Sequence, residues 1–145
     1  MFKKILVPTD GSQLAHAAAE FAADLAKVHG AAITGLFVID PFPYIGIGDA
    51  SAVGLQAYMA EAQASAERSL GDIRQCCEAR GVPFDADTIE RNATYEGILE
   101  TAQAEACDLI VMGSHGRKGV QALILGSVAQ KVLTHAKVPV LIIKP

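Results

Sequence analysis

The residues with the clearest chemical potential are glycines at fixed spacing ahead of a helix. Gly113-x2-Gly116-x9-Gly126-Ser127 follows the apolar run Leu109 to Met112 and leads into Val128-Ala129-Gln130-Lys131-Val132-Leu133, which reads as a helix. The order is strand, glycine loop, helix N-terminus. Glycine lets a backbone approach a ligand closely. The first turn of a helix presents N–H groups without helical acceptors and the positive end of the helix dipole. Together these features make a cradle for an anion, above all a phosphate. Gly-x2-Gly alone is an ordinary turn signal. The full pattern, in the strand-to-helix context that a phosphate loop requires, is far more specific.

Rival motifs fail. There is no Gly-x4-Gly-Lys-Ser/Thr, which excludes a P-loop of the Walker type. Gly46-Ile47-Gly48 follows the second apolar run rather than the first, and Ser51 stands where a dinucleotide fingerprint needs its third glycine. No serine sits in a Gly-x-Ser-x-Gly elbow. The cysteines Cys76, Cys77 and Cys107 form no Cys-x2-Cys and no local Cys/His spacing, so no metal motif is legible. Three cysteines in this pattern suit a reducing compartment.

The elements that must position the loop follow from hydrophobic periodicity. Ile5-Leu6-Val7, ended by Pro8, reads as a buried strand. Asp10-Gly11-Ser12 supplies turn and cap chemistry. Leu14, Ala17/Ala18, Phe21, Leu25 and Val28 recur at three/four spacing and predict a helix closed by Gly30. Ile33 to Ile39 is a second strand, and residues 41 to about 51 form a loop rich in proline and glycine. Leu55, Met59, Ala62, Ala66, Leu70, Ile73 and Cys77 predict a long helix stopped by Gly81 and Pro83. Phe84 to Arg91 is a polar strand suited to a sheet edge. A short helix follows from Tyr95 to Ala106, capped by Asn92 or Thr94. Leu109 to Met112 has the continuous apolar character of a central parallel strand.

After the last helix, Val138 to Ile143 is a fifth strand. Pro139 inside it cannot donate a ladder bond, which puts the strand at an edge. That edge is nearly all apolar, and a second copy of the chain pairing there would protect it. The alternative is that helices cover both of its faces.

Five strands alternating with four helices predict a single doubly wound α/β domain over residues 1–145. It has a five-stranded parallel sheet in the order 3-2-1-4-5 and helices on both faces. The order reverses between strands 1 and 4, and in such sheets ligands bind beyond the strand ends at that point. Strand 1 ends in Pro8-Thr9-Asp10 and strand 4 in Met112-Gly113, so the glycine loop faces the expected cleft.

Bulk properties narrow the partners. The 145 residues are 51% apolar and 19% charged, with a net charge of −4. That balance disfavours a nucleic-acid or anionic-membrane binder, which would carry a basic face. No apolar run approaches the roughly 20 residues of a membrane span, and the short stretch ahead of Ile5 does not read as a signal peptide. The expectation is a cytoplasmic protein.

Here the chain resembles the universal stress protein family, in its ATP-binding branch. The resemblance runs from Lys4-Ile5-Leu6-Val7-Pro8-Thr9-Asp10-Gly11-Ser12 through the glycine pattern to Val138-Pro139-Val140-Leu141-Ile142-Ile143. It implies a similar fold, a homodimer through the last strand, and ATP as ligand. It also implies roles for individual residues. The Val38 backbone meets the adenine edge, and Pro8, Thr9 and Asp10 form a floor beneath ribose and phosphates. Met112 and Gly113 border the ribose, while Gly116, Gly126, Ser127 and Val128 cradle the phosphates. Phe37 stands where relatives often carry histidine. Asp10, a carboxylate near phosphates, needs a Mg²⁺ ion or a ribose hydroxyl to offset repulsion.

Several of these residues have simpler readings. Ser127 serves equally as a helix N-cap, Gly116 as a turn glycine, and Asp10-Gly11-Ser12 as helix-start chemistry. His115, Arg117 and Lys118 are either phosphate contacts or solvated loop residues. His16, His29 and His135 read as structural or solvent-facing. The functional reading is an ATP-binding stress-response module acting as a homodimer, with Pro41 to Gly54 as the segment that responds to ligand. The alternatives are a slow ATPase or nucleotidyl-transferring enzyme on the same fold, and a structural dimer that binds no nucleotide.

Overall fold

Ile5, Leu6 and Val7 are fully buried, and they divide between two cores. Ile5 and Val7 pack with alanines of the first helix, with Leu70 and Ile73, and with Leu109 and Val111. Leu6 packs the other way, with Leu36, Ile98, Ile110, Met112 and Val132. This is the two-residue alternation of a strand buried on both faces, and it requires a helical layer on each side of the sheet.

The structure is a computed structural model and describes residues 1–41, 52–117 and 124–145. Its elements, in chain order, are β1 (Lys4–Pro8), α1 (Gln13–His29), β2 (Ala32–Ile39), α2 (Ala52–Glu78), β3 (Phe84–Glu90), α3 (Thr94–Ala104), β4 (Leu109–Gly113), α4 (Ser127–His135) and β5 (Val140–Ile143). The strands form a parallel sheet in the order β3-β2-β1-β4-β5, as expected. β1 aligns Ile5 with Ile33 on one side and with Leu109 on the other. Helices α1 and α2 contribute to the first core and α3 and α4 to the second.

Four local expectations are corrected. The buried face of α1 is an alanine stripe, Ala15, Ala18, Ala19, Ala22, Ala23 and Ala26, while Phe21 and Val28 are exposed. Methyl groups let the helix lie close on the sheet, so the larger apolar residues turn outward. The N-cap of α3 is Ala93, with no side-chain cap from Asn92 or Thr94, and the chain leaves the helix through Ala106 at φ 53°. β3 ends at Glu90, although the Arg91 N–H still donates to the Ile39 carbonyl at 3.0 Å.

Finally, β5 begins at Val140, so Pro139 precedes the strand. Its carbonyl accepts the Ile110 N–H at 3.0 Å. β5 is nonetheless the sheet edge beside β4, and all four of its residues are half-buried. The loop at residues 42–51, with Gly46, Gly48 and Ser51, lies outside the described residues, as does Lys118. No helix among the described residues is long and apolar enough to cross a membrane.

Candidate functional site

The C-terminal ends of the strands open into a cavity of about 600 Å³. Pro8, Thr9 and Asp10 enter it from the end of β1, and Val38 comes from β2. Met112 and Gly113 end β4. Gly116 belongs to the following loop, and Gly126, Ser127 and Val128 lie at the start of α4. All ten residues singled out from the sequence therefore line one cavity, beside the reversal of strand order between β1 and β4.

Local chemistry explains how each wall is held. Ser12 caps α1, its Oγ accepting the Ala15 N–H at 3.2 Å. Asp10 Oδ1 accepts the Ser12 N–H at 3.0 Å, an Asx turn that shapes the exit from β1. Asp10 Oδ2 accepts the Arg117 N–H at 2.7 Å and so clasps the glycine loop to β1. A Cβ placed on Gly116 would run into that same oxygen. Gly116 thus serves close approach, not merely a turn. The Thr9 N–H donates to the Leu36 carbonyl at 2.8 Å, which holds the floor beneath the cavity.

The loop returns to the sheet through Ser114. Its N–H donates to the Ile143 carbonyl at 2.8 Å, and its carbonyl accepts the Gly126 N–H at 2.7 Å. A Cβ on Gly126 would lie 2.8 Å from that carbonyl, so only glycine fits. This corrects one expectation: the Gly126 N–H is not left for a ligand. Gly126 is the N-cap, with no side-chain cap bond, and Ser127 is the first helical residue rather than the cap. The first-turn groups at the cavity that have no helical acceptor are accordingly the Ser127 and Val128 N–H groups, beside the Ser127 hydroxyl.

His115 lines the cavity, and its Nδ1 lies 2.9 Å from the Oγ of fully buried Ser114. Its Nε2 is shielded from solvent with no hydrogen-bond partner among the described residues. A solvated loop histidine would not show that. Arg117 also lines the cavity.

Sequence reasoning missed the wall supplied by α2. Tyr58, Glu61, Ala62 and Ser65 line the cavity at i, i+3, i+4 and i+7. The Tyr58 hydroxyl donates to the Asp40 carbonyl at 2.7 Å and ties α2 to the end of β2. The available signal was the polar residues flanking the apolar stripe of that helix.

The family described as the Universal stress protein family matches residues 1–144. The universal stress protein MJ0531 of Methanocaldococcus jannaschii is 33% identical, over 99% of this chain and 83% of its own. The solved structure of MJ0577, from the same organism, superposes with a TM-score of 0.85 at 27% identity, covering 100% of this chain and 97% of that one. A universal stress protein from Archaeoglobus fulgidus, solved in complex with dAMP, superposes with a TM-score of 0.68 over 98% of both chains. At 24% identity this last likeness is one of fold.

Proposed function

Because the chain belongs to the universal stress protein family, we propose that it is an ATP-binding module of the stress response, acting as a homodimer in the cytoplasm. One observation carries the reading. Ten residues, from three strand ends, the glycine loop and a helix N-terminus, line one cavity of about 600 Å³. That volume falls within the roughly 300–1,000 Å³ common for small-molecule sites.

In this reading Val38 meets adenine through its backbone. Pro8, Thr9 and Asp10 form the floor, and Met112 and Gly113 border the ribose. Ser127 and Val128 donate to phosphate oxygens where Gly116 and Gly126 allow close approach. A Mg²⁺ ion arriving with the nucleotide suits Asp10. Each of its oxygens accepts one N–H and keeps a second lone pair, and Mg²⁺ commonly takes one or two carboxylates together with phosphates and waters. The metal would offset phosphate charge. The three cysteines are free thiols, in keeping with a reducing compartment. Signalling by such a module requires the nucleotide to favour one state of the dimer or of its partner complex.

The deciding experiment is thermal unfolding with and without Mg-ATP, for the wild type and for a Gly126→Asp/Ser127→Glu double variant. Ligand at about 100 times its Kd adds roughly 2.7 kcal/mol, a rise of several degrees for a chain of this size. A rise in the wild type that the double variant lacks is the expected result. No rise at millimolar Mg-ATP would leave a structural dimer as the better reading.

A further inference from the structure

His16, Glu20 and Cys76 bring three different metal-binding groups to one point. His16 and Glu20 stand one turn apart on α1, with Nε2 3.8 Å from the Glu20 carboxylate. Cys76 comes from α2, and the imidazole nitrogen, the carboxylate oxygen and the thiol sulfur all lie within 4.8 Å of one another. None of the three lines the nucleotide cavity.

The scaffold around them is fixed without using any of the three ligand groups. Asp24 stands one turn further along α1 and Arg80 lies just past the end of α2; Arg80 Nε donates to Asp24 Oδ1 at 2.6 Å, and Arg80 also donates to the Cys76 carbonyl at 3.0 Å. The α2 backbone at Cys76 is thereby held against α1. Cys76 is 8% exposed, while the His16 and Glu20 side chains are 48% and 52% exposed. One ligand is set in the core and two are free to turn toward it.

We propose that His16 Nε2, the Glu20 carboxylate and Cys76 Sγ form a site for a zinc-class divalent ion. Bond lengths of about 2.0–2.3 Å put the ligand atoms of a tetrahedral zinc centre roughly 3.3–3.6 Å apart, so rotation of two surface side chains closes the site. One thiolate, one imidazole and one carboxylate favour zinc over the hard ions magnesium and calcium. With three protein ligands, water takes the fourth position. Binding breaks the S–H bond, forms the S–Zn bond and sends the proton to solvent. Without metal, burial and the Glu20 charge hold the Cys76 thiol above its ordinary range, despite Arg80, and a cation between Cys76 and Glu20 reverses that balance. The neighbouring Cys77 is fully buried, and burial pushes its thiol up to about 11. It is not part of the site.

The test uses the intact, reduced chain titrated with Co²⁺. The expected result is a thiolate-to-cobalt charge-transfer band that saturates at one ion per chain and is displaced by Zn²⁺. Cys76→Ser abolishes the band and Cys107→Ser leaves it. His16→Ala and Glu20→Ala, both at exposed positions, weaken Co²⁺ binding by at least the roughly tenfold that loss of even a supporting partner costs. Circular dichroism confirms that each variant is folded. No band at millimolar Co²⁺, a band that survives Cys76→Ser, or one unchanged in both His16→Ala and Glu20→Ala would overturn the proposal.

Discussion

Asp10 at the end of β1 holds Arg117 by its backbone, Oδ2 accepting the N–H at 2.7 Å across 107 residues of sequence. The contact joins the floor of the cavity to its glycine loop. Asp10→Ala removes this acceptor and the one for Ser12, and is expected to cost about 1 kcal/mol of stability and to weaken nucleotide binding. Gly116→Ala drives a methyl group into the same oxygen. The two substitutions damage one contact, so their effects are not additive. Urea unfolding of both single variants and the double should return a coupling energy of about 0.5 kcal/mol or more. Additive losses would mean that the clasp carries no weight.

Hydrolysis should be slow. Both Asp10 oxygens accept backbone N–H groups, and the Glu61 carboxylate lies 3.2 Å from Arg68. Efficient phosphoryl transfer needs a placed base or water-positioning group together with charge stabilisers. Phosphate release from Mg-ATP is expected to stay near background in the wild type. A measurable rate that Asp10→Asn abolishes while the nucleotide still binds would show an ATPase instead.

The β5 edge offers a direct test of dimerisation. The Pro139 and Ile143 carbonyls face β4, so by two-residue alternation Val140 and Ile142 turn their backbone groups to the open side. Ile142→Pro removes one outward donor and no bond to β4. Sedimentation should show a monomer that keeps its far-ultraviolet circular dichroism. An unchanged dimer would place the interface elsewhere.

Asp108 gives the fold an acid-sensitive point. Its two oxygens accept the Lys3 and Lys4 N–H groups at 2.9 and 3.1 Å. Partial burial raises its pKa, but these donors outweigh that and hold the carboxyl below the ordinary 3.8. The stabilisation is fully present above 3.8 and is lost as pH falls through the lower, native value. Asp108→Asn should cost about 1 kcal/mol at neutral pH. It should also flatten the decline in stability on the acid side, as read from urea midpoints across the pH range.

The strand order and the glycine-loop side of the cavity were legible because they depend on local signals, whereas Val38 was reached only through the family resemblance. Apolar runs mark β1 and β4, and the polar Asp85, Asp87 and Glu90 mark β3 as an edge. The glycine spacing requires backbone to pass close to something. What was not legible depends on tertiary fit. Alanine has no hydrophobic rank to set it above Phe21 or Val28, yet its small size decides which face of α1 meets the sheet. The Gly126 N–H is taken by the Ser114 carbonyl, twelve residues earlier, a contact that spacing does not encode. The cluster of His16, Glu20 and Cys76 exists only because α1 and α2 lie side by side.

The pairing of Ile5 with Leu109 also sets when the cavity can exist during folding. β1 and β2 are near neighbours in the chain and can associate early, whereas β4 reaches β1 only after closure of a loop of about a hundred residues. Until then the floor has no opposing wall. A nucleotide therefore cannot template the early sheet. On the proposed reading it recognises only chains whose last central strand is in place, and by mass action would draw late folding intermediates toward the finished domain.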